Sequence, residues 1–122
     1  MYTDVTRAMP MKTSSAKAKG RKLQQDVRDM LLEHSEGLTT DDIRSTSMGA
    51  PGEDILFSTA AREAFPWTVE VKAQEKLNVW SAYEQAEENN PGDYEPIVFF
   101  KRNRSKTFVM LDAEYFVREW RK

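Results

Sequence analysis

An acid at position 54 and a Glu-x-Lys pair at positions 70 and 72 are residue types from which a site for phosphate chemistry can be built. Residues 67–74 run Trp67, Thr68, Val69, Glu70, Val71, Lys72, Ala73, Gln74, alternating apolar and polar as a half-buried strand does. Side chains two apart on a strand share a face. Trp67, Val69 and Val71 therefore point one way, and Thr68, Glu70, Lys72 and Gln74 the other. With Asp54 entering from an earlier strand, the two carboxylates can hold a hard cation over a phosphate. Magnesium suits such a place, because it takes one or two carboxylates and fills the rest of its shell with water and substrate. Asp54 and Glu70 are the candidate ligands, helped by the Val69 or the Val71 carbonyl. Lys72 is placed to stabilise charge or steer the attacking water, and Gln74 to hold a water or a phosphate. A Glu beside a Lys on a strand is ordinarily a surface ion pair. The preceding Gly52-Glu53-Asp54-Ile55-Leu56 stretch gives this one its context.

The elements that must position these residues follow from periodicity and punctuation. A flexible arm is expected over residues 1–16, rich in Thr, Ser and charge, ahead of a single domain over residues 17–122. A helix is expected to begin between Lys17 and Gly20, with Leu23, Val27, Met30 and Leu31 forming one apolar stripe. Gly37 suits the left-handed position after its last turn, near His34. Short strands are expected over residues 43–47 and 54–58, then a helical turn over 59–64 that Phe65-Pro66 ends. After the strand bearing Glu70, Asn78 is a candidate cap for a helix whose Val79, Ala82, Tyr83 and Ala86 share a face. Trp80 and Tyr83, at that spacing, suit a core. Residues 96–100 read as a strand covered on both faces and residues 107–111 as its hairpin partner. Asp112 can cap a last helix whose Phe116, Val117 and Trp120 are spaced to pack on the sheet. The pattern is α/β: a mixed β-sheet flanked by helices.

Composition excludes several chemistries. The 122 residues contain no cysteine and one histidine, His34, so thiolate sites, cysteine nucleophiles and multi-histidine zinc sites are out. The composition is that of a soluble globular protein. It has no apolar run of bilayer length and no apolar core of a signal peptide, so a cytoplasmic setting and no membrane partner are expected. Net charge is −2, yet the charges are segregated. Residues 11–25 hold Lys12, Lys17, Lys19, Arg21 and Lys22 without an acid, and residues 101–106 hold Lys101, Arg102, Arg104 and Lys106 without one. Segregation of this kind makes a basic face on a slightly acidic protein, and basic side chains near a scissile phosphate position a nucleic-acid backbone without reading its sequence.

Gly52-Glu53-Asp54-Ile55-Leu56 followed by Val69-Glu70-Val71-Lys72 resembles the PD-(D/E)XK nuclease signature. Within that superfamily the chain resembles the small archaeal-type Holliday junction resolvases and related phage-encoded nucleases. Lys19-Gly20-Arg21 at the opening of the first helix, Arg44-Ser45 before the acidic strand and Gln85-Ala86 in the second helix carry the likeness further. It extends over residues 17–111. The resemblance implies a restriction-endonuclease-like αβββαβ core and DNA cleavage dependent on magnesium, with manganese as a substitute. It makes Asp54 and Glu70 metal ligands and Lys72 the catalytic lysine. Glu53 rivals Asp54 for the acidic slot; Asp54 is preferred because it directly precedes the apolar pair, and replacing Glu53 is then expected to spare activity. Ser45 or Ser47 corresponds to a serine that some resolvases place beside the phosphate, and Gln85 can project toward the same group. Lys19, Arg21, Lys22, Arg44, Lys101, Arg102, Arg104 and Lys106 complete the expected DNA-binding set.

One departure from the pattern stands out. The resolvases carry a first-helix glutamate where this chain has Gln24 and Gln25, which leaves the number of metal ions open. The small size favours recognition of DNA shape, with branched DNA as substrate and duplex as the simpler partner. Paired cuts on a junction imply a homodimer, for which Trp67, Trp80, Tyr115, Phe116 and Trp120 supply apolar surface. A nicking or homing-type enzyme of the same fold is the nearest rival. A DNA-binding or assembly protein without activity is the rival from another class.

Overall fold

The computed structural model describes residues 13–47 and 49–121. Helix α1 (Thr13–Glu33) includes residues 13–16, expected in the arm, and the rest of that arm lies outside the described residues. Leu23, Val27 and Leu31 fall on one side of α1 at intervals of a helical turn and are buried. Met30, expected in the same stripe, faces solvent. Gly37 takes φ 77° after the helix, the left-handed conformation expected there.

Strands β1 (Ile43–Ser45) and β2 (Ile55–Phe57) pair antiparallel, Ile43 opposite Phe57 and Ser45 opposite Ile55. The loop between them turns through positive φ at Gly49 and Gly52. Helix α2 (Thr59–Ala64) is capped by Ser58, whose hydroxyl accepts from the Ala61 N–H at 3.1 Å. Phe65 leaves the helical region ahead of Pro66, as a residue before proline must. Strand β3 (Trp67–Ala73) then runs parallel to β4 (Glu95–Lys101), with Glu70 beside Val98 and Lys72 beside Phe100. A parallel pair needs a crossover, and helix α3 (Val79–Glu88), capped by Asn78, provides it. Strand β5 (Phe108–Met110) returns antiparallel along β4, and helix α4 (Ala113–Trp120), capped by Asp112, follows.

Alternation along β3 and β4 sorts the core into two layers. Val69, Val71, Ile97 and Phe99 face α1, packing with Leu23, Val27 and Leu31 and with Ile43 and Ile55 of the first two strands. Val98 faces the other way, against Ala82 and Ala86 of α3. Glu70, laterally paired with Val98, shares that second face. Strand β3 is therefore covered on both sides rather than half-buried: Thr68 and Glu70 are only 1% and 4% exposed. The alternation in sequence was correct, but the polar face points at a helix instead of at water.

Two other expectations are corrected. The strands form two ladders, β1-β2 and β3-β4-β5, not one continuous sheet. They meet at Asp54, whose N–H donates to the Val69 carbonyl at 3.1 Å and whose carboxylate, rather than its backbone, takes the Val71 N–H. A side chain thus occupies the place of the next ladder bond. Helix α4, expected to pack Phe116, Val117 and Trp120 on the sheet, buries no residue: these three are 49%, 54% and 78% exposed. Trp80, expected in the core with Tyr83, is 75% exposed, and Tyr83 alone of the two is half-buried. No helix among the described residues is long and apolar enough to cross a membrane.

Candidate functional site

Asp54 sits one residue before β2, where the chain approaches the edge of β3. Its Oδ2 accepts from the Val71 N–H at 2.7 Å, fixing the carboxylate beside the Glu70–Lys72 segment. A residue's N–H and C=O point to the same side of a strand, so the Val71 carbonyl also faces Asp54. The Val69 carbonyl is already taken by the Asp54 N–H. Of the two carbonyls weighed from sequence, Val71 is the one left for a ligand.

On the α3 side of β3, Glu70 Oε2 lies 3.4 Å from Lys72 Nζ, a contact loose for a charge-assisted hydrogen bond. Glu70 Oε1 is buried and has no hydrogen-bond partner among the described residues. Burial, together with the Asp54 carboxylate beside it, pushes Glu70 up to about 7, against the ordinary glutamate value of 4.5. Lys72 and the Asn89 side chain oppose that rise without cancelling it. Asp54 is likewise raised by burial, with the Val71 N–H, Lys72 and Glu70 working against it. Two acids, one ahead of β2 and one on β3, are thus held side by side where water solvates them poorly, with one lysine to compensate. The triad meets solvent through Asp54 and Lys72, both half-buried.

Such a pair fits a hard divalent cation. Its donors are all oxygen, Glu70 offers an unpaired buried oxygen, and the burial that raises both acids, together with the Asp54 charge that raises Glu70, is what a cation would offset. The set is small: among the described residues no group of three or more His, Cys, Asp or Glu could hold a metal ion. Two carboxylates are within what magnesium uses when water and phosphate complete its shell. Gln24 of α1 is buried with Oε1 unpartnered, and Gln25 is half-buried. Neither supplies the charge of a third acid.

Glu53, the rival of Asp54, belongs to a different assembly. Its Oε1 lies 2.7 Å from Arg62 Nη2, and Arg62 Nη1 donates to the Trp67 carbonyl at 2.7 Å. The guanidinium also lies over the Tyr94 ring at 4.1 Å and the Phe57 ring at 5.1 Å. Arg62 thereby ties α2 to the start of β3, and Glu53 ties Arg62 to the segment before β2.

The remaining sequence-derived candidates fall into three places. Ser45 ends β1, and Ser47 follows it in the loop, flanking Thr46, whose N–H donates to the Asp54 carbonyl at 3.0 Å. Both serines are therefore next to a residue bonded to the Asp54 backbone, and Arg44 is exposed on β1. Gln74 is exposed beyond the end of β3 and lines a cleft of about 740 Å³ with Lys101, Arg102, Arg104 and Lys106. Lys19 and Lys22 of α1 meet Lys101, Arg102 and Arg104 around a neighbouring cavity of about 280 Å³. Arg21 is exposed on α1, and Gln85 is exposed on α3.

Sequence reasoning missed Asn89. It is the C-cap of α3, and its side chain acts with Lys72 to hold the Glu70 carboxyl down against burial. No local pattern marks it, because the meeting depends on the length of the crossover helix. No family model, curated protein or solved structure matches the chain.

Proposed function

We propose that this chain is a magnesium-dependent DNA endonuclease of the PD-(D/E)XK class with a restriction-endonuclease-like fold, acting on branched DNA as the junction resolvases do. The observation that carries the reading is the convergence of Asp54 and Glu70 beside Lys72. The Val71 N–H fixes this arrangement across 17 positions of chain, and one buried Glu70 oxygen is left unsatisfied. The element order α1, β1, β2, β3, α3, β4 supports the αβββαβ core, with α2 inserted between the second and third strands.

Asp54 and Glu70 would hold the metal, with the Val71 carbonyl turned to the same place. A bound magnesium supplies a water of lowered pKa and neutralises charge on the phosphate. Burial and Asp54 push Glu70 up to about 7, so holding a cation there would favour the deprotonated form of the pair. Lys72, joined to Glu70, presents its ammonium to the developing negative charge on the scissile phosphate, while the basic surface around residues 101–106 takes neighbouring phosphates. A single domain carries one such triad, so matched cuts on a junction call for two copies. The exposed Trp80, Phe116, Val117 and Trp120 provide apolar surface for a homodimer.

The test is incubation of the protein with branched, duplex and single-stranded DNA, in magnesium and in chelator. Cleavage of the branched substrate in magnesium, lost in Asp54→Asn, Glu70→Gln and Lys72→Ala, supports the reading; equal cleavage by Glu70→Gln removes it. One observation favours a second reading, a DNA-binding protein without activity: α1 buries Gln24 where the resolvases have a glutamate. Tight binding of the same DNA, with no product in magnesium or manganese, would select it.

A further inference from the structure

We propose that the cavity between α1 and the β4–β5 turn is a cradle for a backbone phosphate of the DNA strand, held in shape by Glu75 acting as a positioning residue. The inference rests on the DNA-binding part of the reading above and adds a defined subsite to it. Lys19, Lys22, Lys101, Arg102 and Arg104 line the cavity of about 280 Å³, and its only acids are Asp26 and Glu75. Both acids are committed. Asp26 accepts from Lys22 at 2.6 Å, and Glu75 Oε2 accepts from the Asn103 N–H at 2.6 Å. Among the described residues no carboxylate pairs with Lys101, Arg102 or Arg104. These three cations line the cavity without a carboxylate partner.

The turn that carries them is built in. Lys19 Nζ donates to Asn103 Oδ1 at 2.7 Å, joining α1 to the turn across 84 positions of sequence. Gln74 N–H donates to the Lys101 carbonyl at 3.1 Å, and the Ser105 N–H donates to the Arg102 carbonyl at 3.2 Å. Asn103 is thus gripped at its backbone by Glu75 and at its side chain by Lys19. Glu75 lies three residues beyond Lys72, at most about 10 Å along an extended chain. That is roughly the axial advance of three nucleotides on one strand. The cavity lining contains no aromatic side chain, so nothing there stacks on a base. The ligand it suits is the phosphodiester anion, taken without regard to sequence.

The position of Glu75 gives the proposal a sign that plain electrostatics does not share. Removing an acid from a basic surface should strengthen DNA binding by charge alone. If Glu75 sets the turn, Glu75→Ala instead weakens binding, and Glu75→Gln, which keeps an acceptor for the Asn103 N–H, restores it. The experiment is fluorescence anisotropy of the full chain on a labelled duplex without divalent metal over a salt series, with circular dichroism to check each variant's fold. The cradle predicts that Arg102→Gln/Arg104→Gln lowers the log–log salt slope by about 1.8, two contacts at about 0.9 each. It also predicts that Glu75→Ala lowers the slope by about 0.9 or more while Glu75→Gln stays at wild type. Tighter binding by Glu75→Ala, or an unchanged slope in the arginine pair on a wild type that binds, overturns the cradle alone. A wild type that binds no DNA overturns it together with the nuclease reading.

Discussion

Neighbouring acids Glu53 and Asp54 have unlike partners because the chain turns between them onto the edge of β3. Glu53 meets a guanidinium, and Asp54 meets a backbone amide and a second acid. Glu53→Ala is therefore not the harmless control that its sequence position suggested. It leaves Arg62 half-buried without its charge partner, and urea denaturation should show a loss of about 3–5 kcal/mol, the usual cost of breaking a buried pair from one side. Glu70 gives the opposite kind of prediction. Its folded-state pKa of about 7 lies above the ordinary 4.5, so the folded protein binds its proton more tightly than the unfolded chain. Stability associated with this group is present below about pH 4.5 and is lost as pH rises through about 7. Asp54, raised in the same direction, adds to the fall. Melting temperatures across this range should decline in the metal-free wild type and decline less in Glu70→Gln. Magnesium should recover the loss above pH 7 in the wild type only. A flat profile in the wild type would show that Glu70 is not held in this way.

At the scale of elements, α1 and β3 were legible because their patterns are local. The spacing of Leu23, Val27 and Leu31 specifies a helix face, and the alternation from Trp67 to Ala73 specifies a strand. Leu23→Ala should accordingly cost about 2–5 kcal/mol in chemical denaturation. What alternation cannot tell is what covers each face. Thr68 and Glu70 look like a solvent face by residue type, yet α3 packs there because a parallel β3–β4 pair requires a crossover. The reverse error befell α4. Phe116, Val117 and Trp120 make an apolar face at helical spacing, but periodicity says only that the face is apolar. Tyr115, whose hydroxyl accepts from Trp67 Nε1 at 3.0 Å, ties the helix to the start of β3 while those three stay outside. Asp54 and Glu70 were singled out by their types and spacing, and the structure brings them side by side. Their junction at the edge of two ladders was not legible, because it replaces a backbone bond with a side-chain bond.

Across the whole molecule, basic and apolar side chains both reach the surface, and the basic cleft itself is lined in part by Leu77, Val79, Phe100 and Phe108. The basic cleft lies at the turn after β4, while Trp80, Phe116, Val117 and Trp120 are exposed on α3 and α4. A homodimer through α3 and α4 would cover Trp80 and Trp120. Sedimentation at micromolar concentration should show a dimer that Trp80→Ala/Trp120→Ala converts to monomer without loss of melting cooperativity; a monomeric wild type, free and on junction DNA, contradicts the paired-cut account. The central claim is narrower than any of this: Asp54, Glu70 and Lys72 together cut DNA with a divalent metal. The most direct measurement is single-turnover cleavage of a labelled four-way junction in magnesium by wild type and Glu70→Gln, at saturating protein and with binding checked for both. The account predicts product from the wild type, none in chelator, and none from Glu70→Gln despite retained binding. Equal cleavage rates for the two proteins would contradict it.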